Sequence, residues 1–252
     1  MFYFFINNAS GQCNSLVSLT SQFDVDHFAG TGCTNLKGGL YINGSGITNL
    51  DSLYKITHVK NLYISGTFLS DLSGLKSLDS IDGTLGISEN GLLLNLNGLQ
   101  KLSAVGSLYI WQNPQIADIT QLSKITHTTA VDTSSDIDGR IWIGYNQLLS
   151  DLDGLQNITR IDGELNIESN PSLENLFGFS GLQTVRKYLA IQKNNTLSNL
   201  NGLENLLSVR ELKILNNEGM TSLRGLSNLS HVPEGVSINF NPALTSVEGW
   251  II

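Results

Sequence analysis

The chain has 252 residues, 40% of them hydrophobic and only 14% charged, with a formal net charge of −8. This hydrophobic content excludes a disordered chain, and the lack of any apolar run of about 18 residues excludes a membrane-spanning helix. Lys and Arg number only 14 and are scattered along the sequence, which argues against a nucleic-acid partner, since phosphate binding needs clustered cations.

The first residues, MFYFFINNASGQ, read as the remnant of a signal peptide spanning 1–12. Apolar residues precede small polar ones, but the basic start and the run of about 7–15 apolar residues of a full signal are missing. Next comes a segment, 13–37, that holds the only two cysteines, Cys13 and Cys33. It is placed to cap the remainder of the chain. A Cys13–Cys33 bridge would stabilise by about 3 kcal/mol and would imply an oxidising compartment. The alternatives are two free thiols or a metal site, and no nearby His pair supports the metal.

From residue 38 onward the sequence repeats. An apolar-x-Ile pair recurs at Leu40/Ile42, Leu62/Ile64, Leu85/Ile87, Leu108/Ile110, Ile141/Ile143, Leu165/Ile167, Leu189/Ile191, Leu212/Ile214 and Val236/Ile238. The steps between pairs are 22, 23, 23, 33, 24, 24, 23 and 24 residues. These are the rungs of a solenoid. Each has a short strand with alternate side chains facing in, then an L-x-x-L step such as Leu69/Leu72. It closes with G-L-x-x-L/I-x-x-I/V, whose spacing of three suits a 3₁₀-like turn. The fold class is therefore mainly β, a right-handed, leucine-rich-repeat-like parallel β-solenoid of about nine 22–24-residue rungs with an N-terminal disulfide cap. The longer step of 33 contains a polar insertion at about 126–136, read as a protruding loop.

Two polar columns accompany the rungs. Three residues after the strand Ile stand Asn90, Asn113, Asn146, Asn170, Asn194, Asn217 and Asn241, with Ser45 and Thr67 in the first two rungs. A second column runs Asn49, Asp71, Asn95, Asp118, Asp151, Asn175, Asn199, Ser222 and Ser246. Asn, Asp and Ser side chains bond the backbone groups of turns, which a buried turn must satisfy, so both columns are read as structural. Glycosylation sequons occur at Asn8, Asn43, Asn157, Asn194 and Asn228. A chain with 26 Asn carries about that many by chance, and Asn194 belongs to the inward ladder. The ninth rung stops at Ile252 before its third side, and the chain reads as a fragment.

The pattern C-x19-C-x-x-x-x-G-x-L-x-I, then I-T-N-L-D-S-L-Y-K-I and G-x-L-x-I-x-x-N-x-x-L-x-x-L-x-G-L, resembles the receptor L-domain. That module is known from the EGF- and insulin-receptor ectodomains and from fungal, protist and bacterial surface proteins, whose regular rungs this chain follows more closely. The resemblance runs from Cys13 to Ile252. It implies an extracellular module that binds a surface protein or carbohydrate at a cell surface or wall, without cofactor or metal. It also implies that nine rungs are two L-domains abutting near the insertion.

Outward positions of the strands suggest where binding occurs. The middle column reads Tyr41, Tyr63, Gly86, Tyr109, Trp142, Asn166, Ala190, Lys213, Ser237, and the next one Asn43, Ser65, Ser88, Trp111, Gly144, Glu168, Gln192, Leu215, Asn239. Tyr41, Tyr63, Tyr109, Trp111 and Trp142 form one aromatic stripe with Gly86 as a gap. Exposed aromatics rimmed by polar residues mark interaction surfaces. They also favour strands for their own sake, so a structural ladder and a contact within a larger parent protein are the competing readings. A spacer or wall-integrity role is the alternative function.

A polysaccharide-acting β-helix enzyme is the second alternative. Asp82, Asp138 and Asp162 sit in a repeated I-D-G turn, and Asp132, Asp136 and Asp138 lie on the insertion, where a solvated loop is favoured over a weak Ca²⁺ site. His27, His58, His127 and His231 share no repeat position, and no catalytic motif is present. The outward columns also lack the Thr ranks that order ice.

Overall fold

The computed structural model describes residues 12–129 and 139–247. The signal-remnant reading, most of the insertion with Asp132, Asp136 and Asp138, and Asn8 lie outside these residues. The elements run β1 (Gln12–Cys13), β2 (Val17–Leu19), α1 (Gln22–Phe28), β3 (Asn35–Asn43), β4 (His58–Ser65), β5 (Ser80–Ser88) and β6 (Ala104–Trp111). They continue with β7 (Ile141–Gly144), β8 (Arg160–Ile161), β9 (Leu165–Glu168), β10 (Thr184–Gln192), β11 (Ser208–Leu215) and β12 (Gly235–Asn239).

The strands stack as one parallel sheet in the order β1-β3-β4-β5-β6-β7-β9-β10-β11-β12. The nine apolar-x-Ile pairs are the register marks. Leu40 stands beside Leu62, Leu62 beside Leu85, Leu85 beside Leu108, Leu108 beside Ile141, and so on to Val236. The sheet therefore passes the insertion without losing register. Each pair from Leu40 to Ile214 is sealed from solvent, as are the L-x-x-L leucines of the same rungs, in one continuous core. A single rung could not bury these side chains; stacking does.

The long strands bend. Register shifts between Leu36 and Gly39, between Val59 and Leu62, and between Ile81 and Thr84. One arm carries Leu36, Val59, Ile81, Val105, Ile161, Val185 and Val209 inward; the other carries the repeated pairs. The I-D-G segment is thus a bulge within the strand in rung three, rather than a turn between elements, because Ile81, Asp82 and Gly83 all lie inside β5. A side chain at position 83 would collide with Asn61 Oδ1, which accepts from Thr84 N at 2.8 Å. After the L-x-x-L step, short 3₁₀ turns form at Asp51–Leu53, Ser73–Leu75, Thr120–Leu122 and Phe177–Phe179.

At the N-terminus, Cys13 and Cys33 are joined, with Cα atoms 5.9 Å apart. The cap is more than a loop. Val17 and Leu19 of β2 align with Leu40 and Ile42, adding an apolar pair above the first rung. Helix α1 then lays Val25 and Phe28 on the core. Ser21 caps it, its hydroxyl accepting from Asp24 N. No helix among the described residues is long and apolar enough to cross a membrane.

The Asn column forms a hydrogen-bonded ladder. Asn90, Asn113, Asn146, Asn170 and Asn194 each donate from backbone N to the Oδ1 of the next, and Asn194 and Asn217 continue it to Asn241. Each Nδ2 donates to the strand Ile carbonyl of the preceding rung, as Asn170 does to Ile143 O at 3.1 Å. Thr67 joins the end, its backbone N and Oγ1 both donating to Asn90 Oδ1. The residue before each Asn is left-handed: Glu89, Gln112, Tyr145, Ser169, Lys193, Asn216 and Phe240 have φ between 53° and 58°. That conformation, unfavourable for side chains, turns the chain so that the amide reaches the next rung. The second column acts locally: Asp71, Asn95, Asp118, Asp151 and Asn175 accept from the backbone N two residues on.

Candidate ligand-binding face

The arm that carries the repeated pairs shows three outward columns. Two contain the aromatic stripe. The third stands two residues before the middle one and reads Gly39, Asn61, Thr84, Ser107, Arg140, Glu164, Tyr188, Glu211, Gly235.

The five aromatic residues fall into two packed groups. Tyr41 and Tyr63 stack with ring centroids 4.9 Å apart. Trp142 lies 6.1 Å from Tyr109 and 4.9 Å from Trp111. The second group has a further member: Tyr145 packs on Trp111 at 4.5 Å. It lies just past the strand at a left-handed position, so strand periodicity omits it.

Glycines let two of these rings lean over the neighbouring strand. A Cβ at Gly86 would stand 2.6 Å from Tyr63 Cδ1, and one at Gly144 would stand 2.5 Å from Trp111 Cζ3. Gly86 is therefore no gap, because the ring of Tyr63 covers it. The rings brace one another, Tyr41 stacked on Tyr63 and Trp111 edge-on to Trp142 at 72°, in the arrangements aromatic pairs prefer.

Beyond the aromatic wall the face turns polar. Arg140 and Glu164, both largely buried, pair at 2.7 Å. The Arg140 guanidinium also sits 5.8 Å from the Tyr109 ring centroid. Burial pushes the Tyr109 phenol upward, and Arg140 opposes it. Tyr188 is pushed up by burial and by its hydrogen bond to Glu164. Neither phenol ionises near neutrality.

The middle column then drops. Asn166 and Ala190, 5% and 4% exposed, follow Trp142 on successive rungs, and Lys213 rises after them. Lys213 Nζ lies 4.6 Å from the Tyr188 ring centroid, and Lys193 pairs with Glu168 at 3.1 Å. The result is a shallow shelf floored by small or amide side chains. Trp111 and Trp142 wall one side; Tyr188 and Lys213 wall the other.

A Ser–His–carboxylate arrangement lies on the other arm. His58 Nε2 is 3.1 Å from Asp82 Oδ2, and its Nδ1 is 2.9 Å from Ser80 Oγ. The Ser80 hydroxyl donates to Asp79 at 2.8 Å. The Asp79 carboxylate therefore competes with the imidazole for the Ser80 hydroxyl proton.

Of the exposed sequons, Asn43 donates to Ser65 Oγ, Asn157 to Ser123 O and Asn228 to Glu204 O. Asn194 is fully buried in the ladder.

Residues 135–251 match the family model for the receptor L domain. No curated protein matches the chain.

Proposed function

We propose, from the match of residues 135–251 to the receptor L-domain family model, that this chain belongs to that family and is an extracellular recognition module. It holds a protein or glycan ligand at a cell surface or wall and carries out no chemistry. The family is one of ligand-binding modules. The Cys13–Cys33 bridge suits an oxidising compartment outside the cytosol. The family match begins at the insertion, which supports the division of the solenoid into two L-domains there.

One observation carries the choice of surface. Tyr109, Trp111, Trp142 and Tyr145 pack ring against ring as a half-exposed wall beside a polar shelf. Tyr41 and Tyr63 extend it towards the cap. Aromatic anchors with polar groups around them dominate binding energy at interfaces. The rings stack the ligand; the part-exposed Tyr188 and Gln192 supply hydrogen bonds at its edge. An architectural spacer is the second reading, favoured by the packing of the rings on glycines, which would stabilise the sheet without a ligand.

The test is capture. The oxidised protein is presented to arrays of surface proteins and glycans beside a Trp111→Ala/Trp142→Ala variant whose fold is checked by circular dichroism. A ligand retained by the parent and lost by the variant supports the reading. A ligand retained equally by both moves the site off this face, and capture by neither favours the spacer.

A further inference from the structure

The bent arm carries a second feature, on a different face from the aromatic wall. In rungs five to nine, His127, Arg160, Thr184, Ser208 and His231 stand in line, each bridged to the next in parallel register. Beside this line run Asp162, Arg186 and Arg210. Two open troughs meet here and share Thr184. One, of about 510 Å³, is lined by Asp162, Arg186, Lys187, Ser208, Arg210 and His231 among others. The other, of about 370 Å³, is lined by Thr126, His127, Thr159, Arg160, Gln183 and Thr184.

The charge here runs against that of the whole chain, which is −8. Three guanidiniums share two carboxylates. Asp162 Oδ1 lies 2.9 Å from Arg160 Nε and 3.3 Å from Arg186 Nε, so one carboxylate serves two cations. Arg210 pairs with Glu234 at 2.6 Å. The Asp162 side chain is only 12% exposed, whereas those of Arg186 and Arg210 are 60% and 58% exposed. The buried Asp162 carboxylate lies within ion-pair distance of Arg160 and Arg186, while Arg210 pairs with an exposed Glu234, and all three guanidinium side chains stay about half exposed. Guanidinium forks match carboxylate and sulfate oxygens better than ammonium groups do.

We infer that this double trough binds an acidic polysaccharide, a glycan chain bearing carboxylate or sulfate groups on successive sugars. Arg186 and Arg210 follow one another on consecutive rungs, about 5 Å apart, a repeat near that of one sugar ring, and Arg160 lies one rung further, in the neighbouring column beside Thr184. The floor between them offers hydroxyls and an amide from Thr159, Gln183, Thr184 and Ser208. Its apolar lining residues are Val185 and Val209, both fully buried, and Pro233 at one end; neither valine is open to a peptide side chain, which favours a glycan over an acidic peptide. The arginines bind the anionic groups; the floor bonds ring hydroxyls.

The experiment is interferometry on the full oxidised chain at low and physiological salt. The probes are polygalacturonate, dextran sulfate, neutral dextran and poly-glutamate. Polygalacturonate or dextran sulfate should bind, more weakly as salt rises, and dextran should not. Arg186→Gln/Arg210→Gln should weaken binding at least about tenfold through loss of charge-assisted bonds. Trp111→Ala/Trp142→Ala should leave it unchanged, which separates this site from the aromatic wall. On the parent protein, the bound polymer should slow hydrogen exchange at 184–187 and 208–210. Retention of no acidic glycan, equal binding by the arginine variant, or poly-glutamate held as tightly as polygalacturonate would overturn the inference.

Discussion

Removing one rung of the asparagine ladder should cost far more than its surface area suggests. Asn170 is fully buried. Its Oδ1 accepts from Asn146 N at 3.2 Å and from Asn146 Nδ2 at 3.3 Å, and its Nδ2 donates to Ile143 O at 3.1 Å. Asn170→Ala leaves at least one backbone N–H and one backbone carbonyl buried without partners. Each such group costs about 1–3 kcal/mol, so the expected loss is about 2–6 kcal/mol, a large part of the roughly 5–15 kcal/mol that holds a domain folded. The control is Asn175→Ala in the outer column. There a single exposed bond, Phe177 N to Asn175 Oδ1 at 3.1 Å, is lost, for about 0.5–1.5 kcal/mol. Urea unfolding followed by circular dichroism measures both. An Asn170→Ala cost no greater than that of Asn175→Ala would refute the ladder argument.

Three further outcomes rest on the packing. Reduction of Cys13–Cys33 should raise hydrogen exchange between residues 13 and 64 first, because the bridge ties β1 and α1 over the first rung; unchanged exchange there would contradict this. Gly144→Ala should shift Trp111 emission and destabilise by about 1–3 kcal/mol, since the new Cβ meets both the indole and Glu168 O at 2.9 Å, and an unaltered emission spectrum would show that the ring does not lie there. Acid should loosen the cap. Burial pushes the Asp24 carboxyl up, but bonds from Thr20 and Ser21 outweigh it and hold the carboxyl below its ordinary value. A depressed carboxylate contributes stability above its unfolded pKa, and this is lost as pH falls from the ordinary carboxylate range through the folded value. Asp24→Asn should therefore remove part of the acid sensitivity of exchange in 20–28, and an identical pH profile in the variant would count against it.

The solenoid is legible in the sequence because its signal is repeated. A pair such as Leu62/Ile64 is weak alone, but seven steps of 22–24 residues and a single longer one leave one architecture. The Asn column is legible for the same reason. The cap strand escapes the pattern because Val17-Ser-Leu19 lacks the Ile of the repeat and stands before the first full rung. The bend at Ile81–Gly83 reads as a turn because Asp-Gly is a turn signal, whereas parallel neighbours on both sides keep it in the sheet.

On the candidate face, the two strand columns find five rings and miss two more: Tyr145, which lies just past the strand, and Tyr188, which stands in the third outward column. Gly86 looks like a gap because spacing does not show where a ring leans. The basic residues look scattered along the chain. Arg160, Arg186 and Arg210 are separated by 26 and 24 residues, close to one rung each, so the solenoid gathers what the linear sequence disperses. That near-rung spacing is the signal the sequence offers.

The most direct test of recognition on the outer sheet is a hydrogen-exchange comparison of the chain alone and with the ligand retained in the capture experiment. The account predicts slowed exchange at 107–112, 140–145, 164–168 and 188–193, the segments that bear the aromatic wall and the shelf. Slowing confined to other faces of the solenoid, with these four segments unchanged, would contradict it.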